Sequence, residues 1–399
     1  MRVVFISHSS DTYGAERSLY ELVQGITAFE AAEPSVVLPG KGPLMQRFRA
    51  LKVPVHLMPY SRWASGRTSL PKRLRSLARN GLAVRDFRRL FDRTEPDLVV
   101  TNTATVPSAA IAAHSEGLPH LWCVHEHADP AVNVGFHWGE ARTFRLVGRL
   151  SSRVIACSYE LKRYLSQWIA PDHIRILYPS VDVPSVPVQS SPRSAPSIRR
   201  IVVVAHKVEG KGQEDAIRAL GELQRWRVPA HLTLVGPEEA GYGAYLRKLK
   251  TMLGLDELVE FVGSVEDPYA FMIQSAIVLV CSRRESLGRV AIEAMKLGRP
   301  VVVANNGGSA ELVRDGWNGL MYRAGDPLDL ASKIRLLLDD EALMARLIDA
   351  GRSYALGTFS SERYVRGFMA TAQEVVVAAA PDRDIGGHAV TRQERGNPL

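Results

Sequence analysis

The sequence predicts an α/β protein made of two doubly wound, Rossmann-like domains that face each other across a cleft. Three observations predict it. Short apolar runs that read as buried strands alternate with amphipathic stretches at helical spacing along most of the chain. A proline- and serine-rich stretch without periodicity, Pro184 to Ser197, splits that alternation into two halves. The chain has 399 residues, 46% hydrophobic and 23% charged, which is ordinary for a globular protein with a large core.

Composition also excludes some classes. No apolar run approaches the roughly 20 residues that span a bilayer. The opening MRVVFISHSS has one basic residue and a short strand-like run, so it does not read as a signal peptide. Cys123, Cys157 and Cys281 lie in or beside apolar runs, with no spacing for zinc or a disulfide framework. They read as reduced core residues of a cytoplasmic protein. The net charge of +8 fits nucleic acid, anionic lipid or an anionic substrate, and its uneven distribution favours lipid over nucleic acid.

Elements follow in order. Val3–Ser7 reads as a strand, Asp11–Gly14 as a turn and Ala15–Ile26 as an amphipathic helix, an opening that lacks GxGxxG. Ser35–Leu38 and Val53–Leu57 are strands around a helix from Leu44 to Leu51. Leu70–Arg93 has leucine, valine and phenylalanine at helical spacing, with Lys72, Arg73, Arg75, Arg79, Arg85, Arg88, Arg89 and Arg93 on the other faces; Gly81 is a possible break. Together with Trp63 at a headgroup boundary, segment 63–93 reads as contacting an anionic membrane surface at the inner face. Strands at Leu98–Thr101 and Leu118–Val124 flank a helix over Val106–His114. The second strand ends in His125-Glu126-His127, where catalytic groups of open α/β sheets cluster. The pair His125 and His127 has no third metal ligand. A helix over Phe136–Leu150, a strand at Val154–Cys157, a helix capped by Ser158 and a strand at Ile174–Leu177 complete the first half.

The second half opens with strand Ile201–Ala205, a turn carrying His206, Lys207, Lys211 and Gly212, and a helix from Gln213 to Leu223. Strands at Leu232–Val235 and Val259–Val262 enclose a helix over Tyr245–Leu253, and Gly263-Ser264-Val265 is the second strand's exit. Strand Ala276–Val280 leads into a turn with Arg283, Arg284 and Glu285, a helix from Leu287 to Leu297 ended by Gly298, and strand Val301–Ala304. Helices at Ala331–Leu338, Leu343–Leu347 and Ser361–Val377 finish the fold. The tail 381–399 is polar and expected to be disordered.

The helix start near Leu287 organises the chain. Its first N–H groups have no intrahelical partner and carry partial positive charge, and Gly288 lets an anion approach. Glu285 and Glu293 would repel a phosphate they touched. They make sense if they accept hydroxyls on either side of it, as a sugar and a ribose flanking a diphosphate would provide.

Glu285-x7-Glu293, Gly298-Arg299-Pro300-Val301, Gly307-Gly308, Glu311 and Asn318-Gly319 closely resemble the retaining nucleotide-sugar glycosyltransferases of the GT-B fold, in the large family 4. The resemblance implies that Glu285 lies at the donor sugar, Glu293 holds the ribose and the amides of Ser286, Leu287, Gly288 and Arg289 bind the diphosphate. It implies that Lys211 neutralises that diphosphate, while His206 stands where the family usually has arginine, beside Lys207. Gly14 of Gly14-Ala15-Glu16-Arg17 meets donor or acceptor across the cleft, His125 lies by the sugar and the acceptor, and Gly263 and Val265 contact the base. In Tyr178-Pro179-Ser180-Val181-Asp182, Asp182 matches the family's Asn-Gly-Val-Asp hinge and its Asn-Gly is not matched. The expected organisation is an acceptor domain over 1–182, a linker over 183–198, a donor domain over 199–358 and a helix over 359–380 that crosses back to the first domain.

The expected activity is metal-independent, retaining transfer of a sugar from a nucleotide-sugar to a glycan or lipid-linked acceptor. His125, Glu285 and Lys211 would be catalytic, with Arg283 or Arg284 adding positive charge at the leaving diphosphate, and no cofactor is needed beyond the donor. A catalytically silent nucleotide-sugar-binding or membrane scaffold protein is the alternative, supported by His206 alone. A nucleotide-sugar epimerase ranks below it, for want of further cleft carboxylates.

Overall fold

The computed structural model describes residues 1–64, 70–128, 135–185 and 199–379. The first lobe runs β1 (Arg2–Ser7), α1 (Gly14–Ala28), β2 (Glu33–Leu38), α2 (Pro43–Ala50), β3 (Val55–Leu57), α3 (Leu70–Thr94), β4 (Leu98–Asn102), α4 (Ser108–Ser115), β5 (His120–Val124), α5 (Glu140–Arg149), β6 (Arg153–Ala156), α6 (Tyr159–Leu165) and β7 (Ile174–Ile176). The second runs β8 (Arg199–Val204), α7 (Gln213–Arg225), β9 (Ala230–Val235), α8 (Ala240–Met252), β10 (Val259–Val262), α9 (Tyr269–Gln274), β11 (Ile277–Val280), α10 (Arg289–Lys296), β12 (Val301–Ala304), α11 (Gly307–Leu312), β13 (Leu320–Tyr322), α12 (Pro327–Asp339) and α13 (Glu341–Thr358). The last helix, α14 (Ser361–Ala379), follows.

Both sheets are parallel. Their strand orders are β3-β2-β1-β4-β5-β6-β7 and β10-β9-β8-β11-β12-β13. Strands such as Ile277–Val280 and Val301–Ala304 are buried throughout, which is why they read as continuous apolar runs rather than alternating ones. Strand order reverses beside β1 in one lobe and beside β8 in the other, and crevices open at the carboxyl ends there. The two switch points face each other.

Several boundaries differ from the sequence reading. Gly81 does not break α3, which is one helix of 25 residues. Trp63 belongs to the core: it is 7% exposed, donates from Nε1 to Ala104 O at 2.6 Å and stacks on Trp122. It cannot sit at a membrane headgroup boundary. The α5 helix starts at Glu140, because Phe136 pairs with Ala64 in an isolated bridge before it. Helix α10 starts at Arg289 with Gly288 in the left-handed region as its N-cap. The short elements α9, α11 and β13 go beyond the sequence reading. Most of the linker, 186–198, and the tail lie outside the described residues.

The last helix packs on the first lobe. Phe368 lies against Phe5, with ring centroids 5.6 Å apart, and Gly25 of α1 sits so close to Ser361 that a Cβ would come within 2.5 Å of its Oγ. Cys123, Cys157 and Cys281 are buried and unpaired.

Candidate functional site

Strand ends bring the chemistry together. His8 after β1, Thr103 and Thr105 after β4 and His125–His127 after β5 form one wall of a cavity of about 540 Å³. His206 and Lys211 after β8, with Cys281, Ser282 and residues 284–290 after β11, form the other.

The second-lobe wall depends on two glycines. Gly212 has φ +71°, and a Cβ there would lie 2.1 Å from Cys281 O. Only glycine lets the loop carrying Lys211 press against the exit of β11. Gly288 has φ +90°, and a Cβ would meet Ser309 Oγ at 2.5 Å. No side chain caps α10, so its first amides keep the unsatisfied, partly positive character that suits an anion. Lys211 Nζ is 2.9 Å from Glu285 Oε2. Burial alone would raise the Glu285 carboxyl, but the Lys211 charge and hydrogen bonds from Lys211 and Ser282 outweigh it and hold the group below its usual range. Arg284 lines the cavity and pairs with no carboxylate among the described residues, whereas Arg283 is tied to Glu214 at 2.6 Å and Asp215 at 3.5 Å.

Neighbouring residues of the sequence reading separate here. Lys207 is 1% exposed and donates to the carbonyls of Gly236 and Val262, so its ammonium caps strand ends instead of facing the cavity. His206 lines the cavity, but burial first, then the charges of Lys207 and Lys211, lower its pKa, and it adds no charge at neutral pH. Gly263 and Val265 lie at the exit of β10, outside the cavity wall; Gly263 O accepts from Gly236 N at 3.1 Å. Ser286 and Leu287 line the wall, as does Gly14 opposite.

The Arg289 guanidinium is not offered to a ligand. It makes a two-pronged pair with Glu21 of α1, at 2.7 and 3.0 Å, and also donates to Ser18 Oγ and Ser180 O. Glu293 is 2% exposed and pairs with Arg17 at 2.9 Å, the guanidinium lying over the Tyr269 ring. Both ion pairs join α10 to α1 across the lobes.

On the first lobe, His125 Nε2 is 2.8 Å from Asn102 Oδ1, and Asn102 Nδ2 donates to Ala15 O at 3.0 Å. That second bond fixes the amide orientation, so Nε2–H donates and Nδ1 keeps its lone pair. Burial, with the charges of Arg289 and His8, lowers the His125 pKa to about 3. His125 is a neutral hydrogen-bond acceptor at working pH. Glu126 accepts the N–H groups of Ala104 at 2.7 Å and His125 at 3.1 Å, and burial, only partly offset by those bonds, raises its carboxyl to about 7. His127 Nδ1 is 3.1 Å from Ser286 Oγ across the cleft. Sequence reasoning missed Asn102 and Glu21. The strand-end position signals the first; nothing in the local pattern signals the second. Among the described residues, no group of three or more His, Cys, Asp or Glu side chains could hold a metal ion.

Comparisons with known proteins bear on the family and the fold. The family described as "Glycosyltransferase Family 4" matches residues 12–184, and "Glycosyl transferases group 1" matches residues 191–354. The lipopolysaccharide core biosynthesis glycosyltransferase LpsE of Rhizobium meliloti is 33% identical over 162 residues, 41% of this chain and 46% of LpsE. The D-inositol 3-phosphate glycosyltransferase of Geodermatophilus obscurus is 36% identical over 183 residues, 44% of this chain and 39% of that protein. The chain thus spans about half the length of the curated relatives it matches. The crystal structure of Anabaena HepE in complex with UDP-glucose is similar in fold, with a TM-score of 0.74, 23% identity, and coverage of 94% of this chain and 99% of that one.

Proposed function

We propose that this chain, which belongs to glycosyltransferase family 4 and has the GT-B fold, moves a sugar from a nucleotide-sugar to an acceptor hydroxyl. One observation carries the reading. Lys211, Glu285, Arg284 and the uncapped start of α10 converge on one wall of a cavity whose other wall presents neutral His125. The cations and helix amides would take up the charge of the departing diphosphate, where preorganised electrostatics act most strongly. Glu285, kept ionised by Lys211, would accept a donor-sugar hydroxyl, and the His125 Nδ1 lone pair would accept another from sugar or acceptor. No step needs a metal ion. The transfer is retaining, with the leaving phosphate helping to deprotonate the acceptor.

The donor nucleotide to try first is UDP, which neighbours of the same fold bind. The acceptor is a glycan or a lipid-linked glycan met from the first lobe. There α3 exposes Leu74, Leu77 and Leu82 among arginines, a combination that suits an anionic membrane surface. No helix among the described residues is long and apolar enough to cross a membrane.

A thermal-shift screen of UDP, GDP, ADP and their sugars, followed by transfer assays with the stabilising donor, tests the reading. Stabilisation by one nucleotide class, lost in Lys211→Met, is expected. Equal melting in all of them would overturn it. For the membrane contact, vesicles with one-third phosphatidylglycerol should pull down the protein at low salt. Leu74→Ser/Leu77→Ser/Leu82→Ser should lose that binding, and retention of the triple variant would refute the contact.

A further inference from the structure

Glu311 belongs to the second lobe, yet its carboxylate is bound entirely by groups of the first. Oε1 accepts the backbone N–H of Tyr159 at 2.9 Å, and Oε2 accepts that of Glu160 at 2.9 Å. The Tyr178 hydroxyl also donates to Oε1. Tyr159 and Glu160 open α6, so these two amides have no partner within the helix and carry its partial positive charge. Each Glu311 oxygen thus replaces water on a donor that the first lobe alone leaves open.

The other end of this contact is the turn of Glu285. Gly308 N donates to Glu285 O at 2.6 Å. A Cβ on Gly307 would lie 2.8 Å from Glu285 O, and one on Gly308 would lie 2.4 Å from Ser286 O. Helix α11 therefore has no slack against residues 285–286. Two further contacts cross at the same place: Ser158 Oγ donates to Ser286 O, and His127 Nδ1 meets Ser286 Oγ. A rigid chain of contacts runs from α6 through Glu311 and α11 to Glu285, and from there to Lys211.

We infer that Glu311 is a positioning residue: by seating the start of α6, it sets Glu285 and Lys211 of one lobe at their working distance from His125 of the other. The inference rests on the proposed transfer for its kinetic consequence, but the mechanical coupling stands without it. Glu311 lines no part of the central cavity, so it acts on the reacting groups only through the turn.

The test uses Glu311→Gln and Tyr178→Phe in the full chain. Glutamine keeps the size but offers one acceptor oxygen for two N–H donors. With the donor found by the thermal-shift screen, Glu311→Gln should lower kcat about 10²-fold, the scale of a small misplacement of reacting groups, with the donor KM changed less than about twofold. Tyr178→Phe should lower kcat by less, and the double variant should be no slower than Glu311→Gln alone, because both remove parts of one contact. Amide hydrogen exchange is read in parallel: Glu311→Gln should speed exchange both at 159–161 and at 285–289. Parallel losses in kcat and donor affinity, multiplicative effects in the double variant, or faster exchange confined to α6 would each overturn the inference. If the wild type transfers no sugar, the proposed activity fails, and the exchange pattern still decides the role of Glu311.

Discussion

Replacing Arg289 by methionine separates a lobe-joining role from donor binding. Glu21 is 5% exposed, and its carboxylate is held by both prongs of the Arg289 guanidinium and by Asp182 N–H at 3.2 Å. Burial already raises the Glu21 carboxyl, and Arg289 is the first influence opposing it. Methionine fills much of the arginine stem but leaves a buried, uncompensated carboxylate. Breaking such a pair from one side costs about 3–5 kcal/mol, because the stranded charge keeps its desolvation penalty. Glu21→Gln/Arg289→Met removes both charges and should recover most of that loss. Urea unfolding followed by tryptophan fluorescence, on the wild type, Glu21→Gln, Arg289→Met and the double variant, gives the four stabilities, and a coupling of about 1.5 kcal/mol or more is expected. UDP binding by calorimetry should change less than about threefold in the double variant. Additive effects within about 0.5 kcal/mol, or a tenfold loss of UDP affinity in the double variant, would refute the reasoning and return Arg289 to the donor.

Three other outcomes follow from the site. Lys211→Met should lower transfer about 10²–10³-fold, the usual cost of one electrostatic contact to a developing charge, and 31P chemical shifts of bound UDP would report the lost contact. Gly212→Ala should destabilise by well over about 1 kcal/mol, since alanine meets both a positive φ and the Cys281 carbonyl; an unchanged Tm would contradict that packing. With its carboxyl at about 7 against an ordinary 4.5, Glu126 holds a proton in the folded protein that the unfolded chain has released. Stability should therefore fall as pH rises from about 4.5 to 7, by up to about 1.4 kcal/mol per unit for one proton, and level off above. Glu126→Gln should flatten that slope, measured by urea unfolding at each pH.

What the sequence made legible depended on local pattern. The β11–α10 stretch stood out because a buried strand, a glycine that starts a helix and a glycine that ends one are all written within a few residues. Elements as short as α9, α11 and β13, of three to six residues, are too brief to show a period. Adjacent cations could not be ranked either. Lys207 and Lys211, or Arg283 and Arg284, look alike in sequence, and only the backbone path decides which of each faces the cavity. The pairs Arg289–Glu21 and Arg17–Glu293 join residues more than 260 positions apart, so no periodicity within one element could reveal them. Trp63 misled because an aromatic next to a basic amphipathic helix has the same signature whether it faces lipid or, as here, stacks on Trp122.

The chain passes between the lobes twice, once after β7 and once before α14, and the two passages touch. Val181 N donates to Phe359 O at 3.3 Å, Lys296 Nζ donates to the same oxygen at 2.8 Å, and the Tyr178 ring meets the Phe359 ring edge-on. Two connections fastened at one spot act as a pin joint rather than a tether. A swing about such a pin would have its largest travel at the far rim of the cleft and its smallest beside Ser180.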